Sequence, residues 1–275
     1  MKKAQVANVF SFGVLFFFSV TGYVLEPNPE IFCDTKPFYA VIGLPRGGTT
    51  VVSSFLGSME GSFCLCEPVW LFMKKPEIFN QSISSVTSKA LDLKLTVPER
   101  FVSEIRAYLS ASIFTSGGIK ETYSDYRAYC ADILLEKNPD MVIFVLRHPK
   151  ALFHAWKTIW WGFPFNNVHF LIKNYKEMIQ KRMVTHNAVD IVYEIFSQNP
   201  IKYMQNKLTP LFTISGEFTP LQQMESVQFG DDGAKEGGVV KPASLSMNSL
   251  EQWEHELIEQ ELMPLYEQLV KNERS

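Results

Sequence analysis

Residues 38–56 constrain the fold of this chain most strongly, because an apolar run, a glycine-bearing loop and the start of a helix follow one another there. The run Phe38–Leu44 is rich in residues that favour strands. The pair Gly47–Gly48 then marks a tight turn, since glycine adopts backbone angles that other residues resist. Thr49 and Thr50 follow at a position where they can cap a helix. A strand, loop and helix of this kind aim backbone N–H groups at one point, which predicts an anion-binding site.

The spacing of residues in this loop differs from that of a P-loop that hydrolyses ATP or GTP. Gly43 and Gly48 fit the G-x-x-x-x-G part of a nucleotide-hydrolysing P-loop, but Thr49 stands where that loop carries its lysine. The basic residue lies inside the loop instead, at Arg46. Because the missing lysine acts on the terminal phosphates of ATP or GTP, the sequence disfavours hydrolysis of those nucleotides.

Composition excludes several other classes of protein. The chain has 275 residues, which suits one globular domain with a small extension. Its formal net charge is −3, so no basic field predicts a nucleic-acid partner. The four cysteines are too few for a disulfide framework, and Cys64 and Cys66 lack the spacing of a zinc site. We therefore expect buried thiols and no metal.

Strand-like and helix-like segments alternate along the chain. The most strand-like is 141–146, which is apolar without alternation, as in a strand covered on both faces. Further strands are predicted in 61–72, with a break at Glu67, and at 119–122 and 188–193, and one long helix is predicted over 249–270. The alternation predicts an α/β fold, with a parallel central sheet flanked by helices in a P-loop-like three-layer sandwich.

Two motifs resemble those of sulfotransferases that use 3′-phosphoadenosine 5′-phosphosulfate (PAPS). The loop 45-PRGGTT-50 resembles the family's PKSGTT or PRSGTT loop, and the segment 141–156 resembles its second signature, a strand that runs into R-x-P and a helix. The resemblance implies that the loop binds the 5′-phosphosulfate and that Arg147 binds the 3′-phosphate, a role that suits a planar, charged guanidinium. The loop residues concerned are Arg46, Gly47, Gly48, Thr49 and Thr50.

The same resemblance implies two more cofactor contacts. Tyr193 takes the position of a family tyrosine near the adenine, although a core tyrosine at a strand end is the alternative. Lys235 lies in a segment that resembles a loop closing over the 3′-phosphate. The chain departs from the family at Ala155, where members carry a serine, so that His154 or Lys150 would have to bind the 3′-phosphate in its place.

Sulfuryl transfer needs a base for the acceptor hydroxyl and positive charge for the leaving phosphate. Cytosolic sulfotransferases place a histidine two residues after a strand lysine; here these positions hold Lys120 and Thr122, so that base is absent. Carbohydrate-type and bacterial relatives use a glutamate, which Glu67 matches. We expect Glu67 to be the base and Glu121 to be the second choice, with Arg46 stabilising the leaving phosphate and Lys120 assisting. The alternative for Glu67 is a structural salt bridge or cap.

The resemblance covers about residues 38–211 and implies an enzyme, a PAPS-dependent sulfotransferase closer to the carbohydrate and bacterial types. Its partner would be a hydroxyl acceptor, with a carbohydrate favoured. A small-molecule kinase on the same fold is one alternative, which Thr49 disfavours. A nucleotide-binding scaffold without turnover is the other, and Ala155 favours it. The aromatic segment 156–170 is expected in the core, with an acceptor pocket as its alternative.

The N-terminal segment has several possible roles. Lys2 and Lys3 precede an apolar stretch over residues 6–25, close to the roughly 20 residues that span a bilayer. We expect residues 1–37 to form a hydrophobic segment with a linker, and residues 38–275 to form the catalytic domain. As a signal-anchor, the segment would place this domain in a Golgi-like lumen. A cleaved secretory signal, or an element packed within a cytoplasmic protein, is the alternative.

Overall fold

The computed structural model describes residues 36–74, 76, 91–158, 162–208 and 249–274. Five strands in these residues form one parallel sheet, close to the segments that the sequence predicts. They are β1 (Phe38–Gly43), β2 (Ser62–Cys66), β3 (Ser116–Thr122), β4 (Met141–Leu146) and β5 (Ala188–Val192). The order across the sheet is β2-β3-β1-β4-β5, and every neighbouring pair is parallel.

Helices follow the strands in the part of the chain that the structure describes. They are α1 (Thr49–Ser58), α2 (Pro68–Lys74), α3 (Phe101–Ala111), α4 (Ala128–Glu136), α5 (Pro149–Thr158), α6 (Val168–Val184), α7 (Tyr193–Phe196), α8 (Pro200–Lys207), α9 (Gln252–Glu261) and α10 (Met263–Arg274). A short 3₁₀ turn, Pro98–Arg100, leads into α3.

Alternate residues of β1 join two hydrophobic cores on opposite faces of the sheet. Phe38 and Ile42 belong to the larger core, with residues of α3, α4, α5 and α6. Tyr39 and Val41 belong to the smaller core, with residues of α1, α7 and α8. Helices therefore cover both faces of the sheet, which explains why β4 is buried at every position. The predicted three-layer α/β fold is confirmed.

Two local predictions are wrong. The helix predicted over 249–270 is two helices, α9 and α10, because Pro264 has no N–H to donate to the preceding turn and so disfavours a continuous helix. The predicted threonine cap of α1 is absent: Gly48 is the N-cap residue, and Thr49 and Thr50 lie in the first helical turn.

Some predictions fall outside the described residues, namely the N-terminal segment 6–25 and the loop around Lys235. Within the described ranges, no helix has the length and apolar character needed to cross a bilayer. Cys64 and Cys130 are buried free thiols, as expected, and Cys66 is partly buried.

Candidate active site

Gly43 ends β1 at a point where its neighbours leave no room for a side chain. A Cβ at this position would lie 2.7 Å from Thr49 Cγ2 and 2.7 Å from the carbonyl oxygen of Val145. Val145 is also the β4 residue in register with Gly43. Glycine therefore lets α1 begin close to the carboxyl ends of β1 and β4.

The loop between β1 and α1 turns sharply. Gly47 N–H donates to the carbonyl oxygen of Leu44 at 2.8 Å, which closes a tight turn. Arg46 and Gly48 have φ angles of 66° and 97°, in the left-handed region that favours glycine. Gly48 has no side chain to accept from the first-turn N–H groups of α1, so the helix begins as anion-binding helices do.

Arg147 follows β4 and contacts this loop directly. Its Nη1 donates to the backbone carbonyl oxygen of Arg46 at 2.6 Å. Its Cζ lies 5.5 Å from the ring centroid of Tyr193, within cation–π range. Its Nε is buried and makes no hydrogen bond within the described part of the chain. Arg147 thus holds the loop with one N–H and keeps donor capacity for another group.

Two buried side chains fix the backbone on either side of this contact. Trp156 of α5 is fully buried, and its Nε1–H donates to the carbonyl oxygen of Pro45 at 2.6 Å. The hydroxyl of Tyr175, from α6, donates to the carbonyl oxygen of Arg147 at 3.1 Å. The glycine loop and the segment after β4 are therefore each tied to a helix that packs in the larger core.

Tyr193, the first residue of α7, packs on the glycine loop. A Cβ at Gly48 would lie only 2.3 Å from Tyr193 Cδ2, and Tyr193 is 6% exposed. Burial raises the pKa of the Tyr193 phenol, while the neighbouring charges of Arg147 and Arg46 oppose that rise. Its predicted place beside the adenine stays a prediction.

Positive charge is concentrated at this loop. Burial lowers the pKa of Arg46, and the like charge of Arg147 lowers it further. An anion bound between the two guanidinium groups would relieve this repulsion.

A second polar group surrounds Glu67, which follows β2 with a φ angle of 49°. Glu67 Oε1 accepts from Lys120 Nζ at 2.6 Å and from Thr122 Oγ1 at 2.9 Å. Its Oε2 accepts from Arg127 Nη1 at 2.7 Å. Arg127 Nη1 also donates to Thr122 Oγ1 at 2.5 Å. We call these residues, Glu67, Lys120, Thr122 and Arg127, the Glu67 cluster.

The Glu67 cluster holds its carboxylate firmly ionised. Burial raises the pKa of Glu67, but the charges of Lys120 and Arg127 outweigh this effect and lower that pKa to about 2. Burial lowers the pKa of Lys120, yet Cys66 and Glu67 outweigh it, and the pKa is raised overall. A general base works best with a pKa near the working pH, so Glu67 is a weak base while both cations bind it. In this arrangement it forms the salt bridge considered as the alternative.

Glu121 binds the backbone just after Glu67. It is fully buried, and its Oε1 accepts from the Val69 N–H at 2.7 Å, in the first turn of α2. Burial and the charge of Glu67 raise the pKa of Glu121 to about 8. Because successive strand residues face opposite sides of a sheet, Glu121 lies on the other face of β3 from Lys120.

The two polar groups flank the end of β1. Gly43 is in register with Thr122 of β3 on one side and with Val145 of β4 on the other. Adjacent strands are about 4.8 Å apart, so the arginine pair and the Glu67 cluster lie close together at the carboxyl edge of the sheet. Ligands of open α/β sheets bind at this edge.

The structure thus brings most of the predicted site residues into two neighbouring groups, while Lys235 lies outside the residues it describes. The two side chains expected to act in place of a serine at position 155 both bind other groups. Lys150 pairs with Glu259, and His154 Nδ1 lies 2.6 Å from Ser249 Oγ.

Sequence reasoning missed two contacts at the candidate site. Arg127 belongs to no motif, and its partner Glu67 lies 60 positions away in the sequence. Trp156 lies in the core, as expected, but no sequence pattern indicates its hydrogen bond to Pro45. The alternation of strands and helices places the carboxyl ends of the parallel strands at one edge of the sheet. It does not specify which side chains pair there.

Within the described residues, no cluster of three or more His, Cys, Asp or Glu side chains could hold a metal ion.

Comparison with solved structures finds sulfotransferase domains. The sulfotransferase domain from the Synechococcus PCC 7002 olefin synthase aligns with a TM-score of 0.53 at 16% identity, over 82% of this chain and 93% of that domain. The sulfotransferase domain from the curacin biosynthetic pathway aligns with a TM-score of 0.41 at 12% identity, over 82% and 97%. Mouse sulfotransferase SULT7A1 complexed with PAP aligns with a TM-score of 0.45 at 11% identity, over 82% of each chain.

No protein-family model and no curated protein sequence matches the chain. The structural alignment with the olefin synthase domain establishes that the chain has the fold of a sulfotransferase domain. The resemblance that its loop motifs carry is confirmed at the level of the fold.

Proposed function

We propose that this protein is a PAPS-dependent sulfotransferase that transfers a sulfuryl group to a hydroxyl acceptor. The observation that carries the proposal is the convergence of Arg46 and Arg147 on one glycine loop, at the edge of a sulfotransferase fold where ligands bind.

The residues of the loop suit a doubly phosphorylated adenosine. Arg46 and the first-turn N–H groups of α1 would bind the 5′-phosphosulfate, with Gly47, Thr49 and Thr50 in the same turn. Arg147 would bind the 3′-phosphate, since its buried Nε makes no hydrogen bond within the described residues. The remaining cofactor contacts in this proposal are Tyr193 and Lys235.

In the proposed reaction, the acceptor, PAPS and the protein's own side chains account for every bond, proton and charge. The acceptor oxygen forms a bond to sulfur, its proton passes to Glu67, and the bond between sulfur and the bridging phosphate oxygen breaks. The electrons of that bond stay on the phosphate of adenosine 3′,5′-bisphosphate (PAP), where Arg46 stabilises the charge. Lys120 fixes Glu67 for the proton transfer through its 2.6 Å hydrogen bond. Such transfers have loose transition states, so positioning and electrostatics supply most of the catalysis.

The proposed acceptor class is a carbohydrate. Support comes from Glu67, which precedes Pro68 as in the glutamate–proline pair of carbohydrate sulfotransferases. Glu67 lies at the start of α2, at the edge of the sheet next to the proposed donor site.

A nucleotide-binding protein without turnover is the second candidate. The hydrogen bonds that engage both carboxylate oxygens of Glu67 favour it, because they lower the basicity of the group.

A transfer assay with sulfur-labelled PAPS on the full chain separates the two candidates. We expect wild type to label a hydroxyl acceptor from a panel of sugars, phenols and lipids. Glu67→Gln should lower turnover by about 100-fold or more while PAP binding, measured by calorimetry, persists. Lys202→Gln, at an exposed position of α8, is the control. Binding of PAP without transfer to any acceptor would favour the second candidate, and absence of PAP binding would refute both.

A further inference from the structure

The Glu67 cluster carries more positive than negative charge. Glu67 is its single carboxylate, and it is paired with two cations, Lys120 and Arg127. A third cation, Lys74, lies nearby, because Lys74 and Arg127 both contact the ring of Trp70. Lys74 Nζ lies 4.7 Å from the ring centroid, and Arg127 Cζ lies 4.2 Å from it. This excess positive charge favours an anionic ligand beside the carboxylate.

The two cations that bind Glu67 differ in their freedom to leave it. The Lys120 side chain is 3% exposed and belongs to β3, so it is fixed in the sheet. The Arg127 side chain is 23% exposed, and the residue lies just before α4. Only one nitrogen of its guanidinium, Nη1, donates hydrogen bonds to the cluster. Arg127 is therefore the partner that a ligand can draw away from Glu67 Oε2.

We propose that the acceptor carries an anionic group beside its reacting hydroxyl, and that Arg127 binds this group and thereby frees Glu67 to act as the base. This inference rests on the proposed function and names its substrate class, an acidic saccharide. A carboxylate on the acceptor replaces Glu67 as the partner of Arg127, and the freed carboxylate oxygen accepts the proton of the acceptor hydroxyl. Lys120 stays bound to the other oxygen and keeps the carboxylate in place.

The test compares chondroitin, an unsulfated polysaccharide that carries carboxylates, with carboxyl-reduced chondroitin. Binding to the full chain is measured by calorimetry, and labelled-sulfate transfer is measured with both polymers. We expect wild type to prefer the carboxylate form by about tenfold or more. Arg127→Gln should lose this preference, Arg127→Lys should keep part of it because the charge remains, and Lys202→Gln should keep all of it. Thermal unfolding of each variant shows whether it folds.

Equal binding of the two polymers by wild type, or an undiminished preference in folded Arg127→Gln, would overturn the inference. Titration with PAP in the same samples tells this failure apart from failure of the proposed function. If PAP binds and the preference is absent, only the acidic acceptor is refuted. If PAP does not bind, the proposed function fails, and with it the assignment of this surface to an acceptor.

Discussion

The guanidinium of Arg147 donates a hydrogen bond at 2.6 Å to the backbone carbonyl oxygen of Arg46, although the two side chains repel each other. The contact joins the ends of β1 and β4, which are neighbours in the sheet. It holds Arg46 in a left-handed conformation and brings two positive charges to one place. The left-handed backbone and the repulsion between the two guanidinium groups both cost free energy. A site at a sheet edge that keeps both features is suited to a multiply charged anion.

Gly48 is expected to tolerate no side chain. Its φ angle is 97°, and an added Cβ would lie 2.3 Å from Tyr193 Cδ2. We expect Gly48→Ala to lower the free energy of unfolding by about 2 kcal/mol or more in wild type, but by only about 1 kcal/mol in a Tyr193→Ala background, where the positive φ angle is the remaining cost. Urea unfolding of the four proteins measures this difference. Equal costs in both backgrounds would show that the ring does not pack on this position.

Trp156 is expected to stabilise the loop through its N–H group. Trp156→Phe keeps an aromatic ring but leaves the carbonyl oxygen of Pro45 without its donor, which should cost about 1–3 kcal/mol of unfolding free energy. The control is Trp253→Phe: Trp253 is 49% exposed, and its N–H donates to Glu251 at the surface. That change should cost about 0.5 kcal/mol or less. Similar costs for the two variants would contradict the role of the buried hydrogen bond.

The strand positions are largely predictable from sequence, and their side-chain partners are not. The run 141–146 is a strand with the predicted bounds, because it is apolar throughout and lies between a turn and a charged residue. The break at Pro264 also has a sequence signal, since proline marks the start of a helix, but apolar periodicity alone favours one continuous helix there. Arg127 has no such signal, because its partner depends on how two loops 60 residues apart meet.

In the candidate site, too, the positions of residues are predictable from sequence, but the effects of their surroundings are not. Arg46 and Arg147 are expected together, because parallel strands bring their carboxyl ends to one edge. The basicity of Glu67 does not follow from the sequence, since it depends on the cations that fold around it. A residue type in a motif fixes the chemistry available, whereas its pKa depends on the tertiary surroundings.

Glu121 is expected to make stability depend on pH. Burial raises its pKa from 4.5 to about 8, so the folded protein binds this proton more tightly than the unfolded chain does. The stabilisation is complete below pH 4.5 and is lost as the pH rises towards about 8. Wild type should therefore lose stability relative to Glu121→Gln as the pH rises through this range, by up to about 1.4 kcal/mol per pH unit.

Urea unfolding of wild type and Glu121→Gln across this pH range provides the measurement. The glutamine keeps an oxygen for the Val69 N–H but cannot ionise, so only wild type should respond through this group. A stability difference that stays constant with pH would show that Glu121 is ionised in the folded protein throughout.

Calorimetric titration with PAP and with adenosine 5′-monophosphate tests the two-arginine site most directly, because the two ligands differ only in the 3′-phosphate. We expect wild type to bind PAP at least about tenfold more tightly than the monophosphate, Arg147→Ala to bind both equally, and Arg46→Ala to bind both more weakly. If folded Arg147→Ala kept the full preference for PAP, Arg147 would not bind the 3′-phosphate, and the proposed donor site would be wrong.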